Sequence, residues 1–216
     1  MLYKYLRGRF ADAFIRRGEV LFRSLSYFRA VEHAARGDEI EGVHVDAPDN
    51  DVTIETNTGL RIVGPHRFLN SIDQDRTYAF CCSTEFSASL FDEFDADACI
   101  AILDPATFFL RCATAARHPL PLDPPGLIHR KVAYFTPNRE SPLNVKDPRS
   151  IPFLKHEDFA YQKEYRAVFA RRRGFTLTQR IVKPAFTFAE EIQMARPTKR
   201  LLRLGSLHRI VEVRTK

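Results

Sequence analysis

Tryptophan is absent from this 216-residue chain, and glycine is scarce, with 9 in all. Glycine-rich loops are what let backbone N–H groups approach phosphates, and neither GxGxxG nor GxxxxGK[ST] occurs, so neither common phosphate cradle is encoded. The missing HExxH and GxSxG motifs exclude the helical zinc-protease site and the strand–turn–helix nucleophile elbow. Histidines fall at 33, 44, 66, 118, 129, 156 and 208, with no metal-ligand spacing among them. Cysteines are few: Cys81, Cys82, Cys99 and Cys112. No CxxC pair occurs and no histidine lies at zinc-ligand spacing from a thiol, so buried, reduced thiols in a cytoplasmic protein are the expectation. No apolar run approaches the roughly 20 residues needed to span a bilayer, and no membrane partner is expected. The opening MLYKYLRGRF has no apolar core segment, so no secretory signal is expected.

What is present points to an ordered globular chain. Hydrophobic residues make up 44% and charged residues 28%, enough to fill one core and keep a wet surface. The 18 phenylalanines carry much of the apolar area. Residues 1–216 are expected to form a single domain. The net charge of +6 is unevenly spread. From Lys155 to Lys216, 15 Lys/Arg face 6 Asp/Glu, whereas the preceding residues carry 18 against 21. The basic C-terminal portion, residues 171–216, suits an anionic partner such as nucleic acid, a nucleotide or phosphate.

The patterning predicts an α+β, strand-dominated fold with few short helices. Strands are expected at Leu2 to Leu6, Val20 to Phe28, TYAFCCST, ACIAILD, HRKVAYF, EYRAVFA and LHRIVEVRT. GVHVD, VTIET and LRIVG are expected to form a three-stranded meander. Short helices are expected at Phe10 to Arg17, stopped by Gly18, and at Arg29 to Arg36, stopped by Gly37. Another is expected after Asp104, with Pro105 in its first turn. Residues Arg171 to Phe186 are expected to continue EYRAVFA as a hairpin about Gly174. The stretch TPNRESPLNVKDPRSIPFLKH has no period, and its length marks a functional or flexible loop.

Three segments place polar residues beside or within strands. LYKYLRGR carries Tyr3, Tyr5 and Arg7; FRSLSYF carries Ser24 and Ser26; YQKEYR carries Gln162 and Glu164. Period-two alternation puts Ser24 and Ser26 on one face, and likewise Gln162 and Glu164 if that segment is extended. The set resembles ADP-ribosyltransferases of the Arg–Ser–Glu type. That resemblance implies a split, mostly β structure with an NAD cleft between two small sheets. It implies Arg7 as the arginine that binds NAD phosphates, with Tyr5 beside it, and Ser24 with Ser26 on the nicotinamide side. Gln162 would position the target, and Glu164 would be the catalytic carboxylate. Arg9 and Arg23 are alternatives to Arg7, and Ser83 in CCSTEFS is an alternative to Ser24. Such chemistry needs a fixed carboxylate near a ribose whose carbon becomes cationic, and a guanidinium whose fork matches pyrophosphate.

A second resemblance spans about Leu2 to Arg166. The order LYKY, YFR with the acidic GDEIEG, FCCST and YQKEYR resembles an uncharacterised bacterial family, domain of unknown function 2971. It adds an order of motifs and no chemistry. The shared residues are Asp38 and Glu41 in the acidic turn, and Glu164 and Arg166 in the late Glu-x-Arg. Taken alone, the acidic turn is expected to cap locally, pairing with Arg29 or Arg36, rather than to hold a metal. Acidic pairs such as Asp95 and Asp97, or Glu39 and Glu41, are likewise expected to be solvated.

Three functional readings follow. The first is an NAD-using transferase or glycohydrolase of bacterial conflict or stress systems, acting through Glu164. The second is a nucleic-acid-binding module built on Arg171, Arg172, Arg173, Lys183, Lys199, Arg200 and Arg203, with Phe175, Phe186 and Phe188 interleaved to stack bases. The third is a non-catalytic protein whose basic strip meets an acidic protein surface.

Overall fold

The computed structural model describes residues 1–35, 39–55, 57–118 and 121–216. Its strands are β1 (Leu2–Leu6), β2 (Glu19–Ser24), β3 (Val43–Asp46), β4 (Val52–Glu55), β5 (Arg61–Gly64), β6 (Arg67–Ser71), β7 (Thr77–Ser83) and β8 (Ala98–Ile102). They continue as β9 (Ile128–Lys131), β10 (Ala133–Phe135), β11 (Leu154–His156), β12 (Glu164–Ala170), β13 (Thr178–Val182), β14 (Lys199–Arg203) and β15 (Val211–Arg214). The helices are α1 (Ala11–Arg17), α2 (Leu25–Ala35), α3 (Ser89–Glu93), α4 (Pro105–Ala116) and α5 (Ala189–Met194). The strand-dominated α+β class is as the patterning predicts.

Strand β7 is the hub of the main sheet. One edge pairs with β12 along its whole length, from Glu164 opposite Ser83 to Ala170 opposite Thr77. The outer edge of β12 pairs with β9. The other edge of β7 is divided, with β1 joining at Tyr3 opposite Ser83 and β2 at Arg23 opposite Ala79. The sheet therefore forks, one branch running β1–β8–β15 and the other β2–β14. At the fork the Cys81 carbonyl has no strand partner on that edge, and Lys4 Nζ donates to it at 2.9 Å. A buried carbonyl needs some donor, and the lysine supplies one.

Alternation along these strands makes two apolar faces. Phe22, Phe80, Ile100 and Phe169 lie on one, packed with Phe14 of α1 and Phe108 of α4. Each such ring contributes about 1.5–3 kcal/mol by leaving water. Leu25, Ala79 and Val168 lie on the other, packed with Ile151 and Phe153. A separate three-stranded sheet, β13–β6–β3, has its own small cluster of Val43, Val45, Leu69 and Phe188. Local signals set several ends. Gly18 closes α1 at φ 61°, where an added Cβ would lie 2.1 Å from the Gly205 carbonyl oxygen. Asp104 caps α4, its Oδ1 accepting from Thr107 N at 3.0 Å.

Several expectations need correction. The stretch VLFRSLSYF is not one strand: β2 stops at Ser24 and α2 begins at Leu25. Leu25 and Phe28, three apart, pack as a helical stripe onto the cluster around Val168. Ser24 and Ser26 therefore do not share a strand face. The meander is divided, since β3 pairs with β6 while β4 and β5 form a separate hairpin. HRKVAYF breaks at Val132, whose N–H donates to the Glu164 carbonyl at 3.0 Å. Beyond it β10 leaves to pair in parallel with β11. No hairpin folds back about Gly174, because β13 pairs with β6 instead. Gly174 serves a close approach, with a Cβ there lying 2.7 Å from Ala170 Cβ and 3.0 Å from the Arg76 carbonyl oxygen. Asp38, Arg36 and Gly37 lie outside the described residues.

Candidate functional site at the fork of the sheet

Glu164 opens β12 with its side chain buried under the fork, 6% exposed. Arg166, 2% exposed, sits two residues on and so on the same face. Its Nε donates to Glu164 Oε1 at 2.6 Å, and its Nη2 to Glu164 Oε2 at 3.2 Å. The rest of the guanidinium is used as well: Nη2 donates to Glu41 Oε2 at 2.8 Å and Nη1 to the Pro152 carbonyl at 2.8 Å. Lys155 on β11 completes the group, its Nζ 3.3 Å from Glu164 Oε2 and 3.0 Å from Gln162 Oε1. Two cations thus balance two carboxylates in a buried network, the condition under which buried charge is tolerated. Burial alone would push the Glu164 carboxyl up, but Arg166 and Lys155 outweigh it and hold it well below the usual carboxylate range. Burial opposes the charge of Arg166 too, and Glu164 and Glu41 together keep it raised.

Gln162 and Glu164 meet by a route other than the expected one. Gln162 ends the 3-10 segment Glu157–Gln162, and β12 begins only at Glu164. Lys163 between them turns through the left-handed region at φ 46°. The two polar heads come together because both bind Lys155. Two further contacts hold the segment: Tyr134 Oη accepts from Glu164 N at 2.8 Å, and Gln162 Nε2 donates to Tyr161 Oη at 3.2 Å.

Above this network lies a cleft of about 390 Å³. Its floor presents Glu164, Arg166, Lys155 and Gln162, together with Lys4 and Ser83. Its walls are aromatic: Tyr3 and Tyr5 from β1, Tyr27 and Phe28 from α2, Phe94 after α3, and Phe159. Tyr161 donates to Glu93, tying the Glu157–Gln162 segment to α3. Cys81 also reaches the cleft, but burial, then the negative charge of Glu164, pushes its thiol up, so it is no nucleophile there. A larger cavity of about 870 Å³ lies on the other side of Phe159, against Val45, Leu69, Phe186 and Phe188. None of its charged lining side chains is buried, so the buried charge network belongs to the smaller cleft.

The remaining expected residues are partly dispersed. Arg7 does not line the cleft; it pairs with Asp95, which does. Asp95 and Asp97 are exposed, as expected of a solvated pair, and Asp97 also accepts from Gly8 N. Ser24 and Ser26 are buried away from the cleft, their Oγ atoms 2.9 Å apart, with Ser24 also accepting from Thr198 N at 2.9 Å. They tie β2 to α2 and to the entry of β14. The alternative serine, Ser83, is the one on the cleft, opposite both Glu164 and Tyr3 in register. Arg9 is exposed, and Arg23 stacks over the Tyr27 ring at 3.8 Å. Tyr5 lines a wall, but its hydroxyl is engaged by Ser87 N at 2.7 Å and its ring packs on Phe91.

The acidic turn is corrected most strongly. Glu41 is 1% exposed and reaches Arg166, 125 positions away, instead of a neighbour. Glu41, Glu164 and Arg166, taken from separate motifs of the second resemblance, are therefore assembled in one network. Sequence reasoning passed over Lys155 and Lys4. The available signal was a single lysine directly after the apolar run Ile151 to Leu154. Among the described residues no group of three or more His, Cys, Asp or Glu converges to hold a metal, and no helix is long and apolar enough to cross a membrane.

The basic residues gather elsewhere. Arg172, Arg173 and Lys199 are exposed, and Arg171 and Arg200 are half-buried. The aromatics expected between them are not there: Phe175 packs into the cluster of Leu25 and Val168, while Phe186 and Phe188 pack on each other at 5.2 Å.

No protein-family model matches this chain, and no curated protein or solved structure is significantly similar to it.

Proposed function

We propose that the cleft over Glu164 takes an NAD-type nucleotide and breaks its bond to nicotinamide, passing the ADP-ribosyl group to water or to an acceptor nucleophile. The observation that carries this reading is the fixed, ionised Glu164 on the floor of an aromatic-walled cleft. A carboxylate held far below neutrality is a poor general base at pH 7. What it supplies is a stationary carboxylate whose charge is shared with Arg166 and Lys155. Cleavage of an N-glycosidic bond needs that charge: the bonding pair leaves with nicotinamide, and the ribosyl carbon turns cationic. Arg166 and Lys155 hold the carboxylate and are the positioning residues, and Gln162 in turn accepts from Lys155 Nζ. The ring faces of Tyr3, Tyr27 and Phe159 suit a planar heterocycle, and the Lys4 ammonium suits an anionic group. At about 390 Å³ the cleft accommodates a mononucleotide-sized part of the ligand, toward the small end of the roughly 300–1,000 Å³ common for such sites.

The test is incubation with NAD labelled separately in its nicotinamide and adenylate halves, following nicotinamide release and transfer of label. Glu164→Gln keeps the shape and removes the charge, and a loss of about 100-fold or more in release is expected. Lys4→Met lies outside the buried charge network but removes the donor to the Cys81 carbonyl, so its melting temperature is measured beside an expected loss of about tenfold in NAD binding. The reading fails if wild-type protein neither releases nicotinamide nor shows an NAD-dependent rise in melting temperature. It fails equally if folded Glu164→Gln retains full activity.

A further inference from the structure

We propose that the surface at the far end of β7 and β12 from the cleft docks the phosphodiester backbone of nucleic acid. Three chain segments bring arginines together there: the turn before β7, the exit of β12, and the entry of β14. Arg171 N donates to the Arg76 carbonyl at 2.9 Å, and Arg76 Nη1 to the Arg172 carbonyl at 3.3 Å. Arg196 N donates to Asp75 Oδ1 at 3.1 Å, and Thr198 Oγ1 to the Asp75 carbonyl at 3.3 Å. The Arg200 guanidinium lies 5.8 Å from the centroid of the Tyr78 ring, whose hydroxyl is 3.0 Å from Thr198 Oγ1. Register places this surface at Thr77 and Ala170, whereas the cleft lies at Ser83 and Glu164. Six residues of extended strand separate the two, roughly 20 Å.

Positive charge at this surface is only partly compensated, with Asp73, Asp75 and Asp123 set among six arginines. Among the described residues, Arg171, Arg172, Arg196 and Arg200 make no ion pair, while Arg76 pairs with Asp73 at 3.4 Å. Asp123 is committed to the backbone, accepting from Arg173 N at 2.8 Å and Phe175 N at 2.9 Å. Like charges held close cost free energy until an anion arrives. Arginines predominate, and their planar forks match phosphate oxygens in pairs. Their anchors are strand ends and tight turns, so their spacing is set by the fold, which suits a polymer of regularly spaced phosphates. With the phenylalanines packed elsewhere, the surface has charge without a base-stacking platform, and it reads backbone rather than sequence.

The test is fluorescence anisotropy with a labelled single-stranded RNA and a DNA duplex of unrelated sequence, titrated from about 50 to 200 mM salt. Wild-type protein is expected to bind with an affinity that falls steeply with salt and depends little on sequence. Arg171→Glu/Arg200→Glu is expected to lose at least tenfold and to lower the salt slope by about two. Arg172→Glu, on an exposed side chain, gives a smaller loss in the same direction and guards against misfolding of the double variant. Arg16→Glu, on an exposed side chain paired with Asp12, is the control and should bind as wild type does. Glu164→Gln should also keep its affinity, which separates this surface from the cleft. The proposal is overturned if wild type binds neither probe at low salt or if the charge-reversed variants bind unchanged. Binding to acidic lipid vesicles in place of either oligonucleotide overturns it as well.

Discussion

Arg166 holds Glu164, two residues away on its own strand, and Glu41, 125 positions away, with one guanidinium: Nε lies 2.6 Å from Glu164 Oε1 and Nη2 lies 2.8 Å from Glu41 Oε2. The acidic turn before β3 is thereby fastened to the strand that carries the cleft's carboxylate. Stability and site geometry depend on the same atoms, and separate predictions follow for each.

Arg166→Met removes the partner of two buried carboxylates and leaves only Lys155 to offset them. The expected cost is about 3–5 kcal/mol, the range for breaking a buried pair from one side. Urea unfolding measures it. A loss below about 1 kcal/mol would place the network with exposed ion pairs instead.

Acid should unfold the protein through Glu164. Its folded pKa lies below its ordinary value of 4.5, so the unfolded chain takes up the proton first. Stability from this group is fully present above about pH 4.5 and is lost as pH falls below it. Between about pH 5 and 3, wild type should lose stability more steeply than Glu164→Gln, which has no carboxyl to titrate there. Parallel curves from denaturant melts across that range would contradict this.

His44 is buried, 3% exposed, and neither ring nitrogen has a hydrogen-bond partner among the described residues, though its ring lies 4.9 Å from that of Phe135. Burial, against a smaller opposing pull from Asp46, lowers its pKa from 6.5. A histidine kept neutral in the fold but protonated when unfolded withdraws stability as pH drops below about 6.5. His44→Leu should flatten that part of the profile and be neutral or stabilising by about 1 kcal/mol at pH 7, since it removes unsatisfied polar atoms. A destabilisation of more than about 2 kcal/mol would show that the ring has partners the geometry does not reveal.

The four cysteines are free, and burial pushes every thiol up, Cys82 and Cys99 to about 12. The native protein should react with a disulfide reagent at pH 8 far more slowly than model thiols, releasing four equivalents only on unfolding. Rapid reaction of a thiol mapped to Cys81 or Cys82 in the native state would show that the cleft admits the reagent.

Much of this fold could be read from local pattern. The apolar runs of β7, β8 and β12, the glycine that ends α1 and the Asp104–Pro105 start of α4 each follow from residue chemistry within a few positions, because alternation and capping are local effects. The same information marked Glu164 and Gln162 as worth attention, and both reach the cleft. It misplaced Ser24 and Ser26, because a two-residue period over a short segment does not distinguish a strand from a strand that turns into a helix. It also missed how Gln162 meets Glu164, since the left-handed turn at Lys163 has no signature in that residue's type.

The sequence by itself determined the class of fold, the faces that would be apolar and the basic character of the last third. Tertiary structure decided which edges of β7 are shared, and hence where the fork and its cleft lie. It also decided that Ser83 rather than Ser24 borders that cleft, and that Glu41 serves Arg166. The physical reason is that periodicity records which side of a strand a residue occupies, whereas register and charge pairing depend on strands distant in sequence.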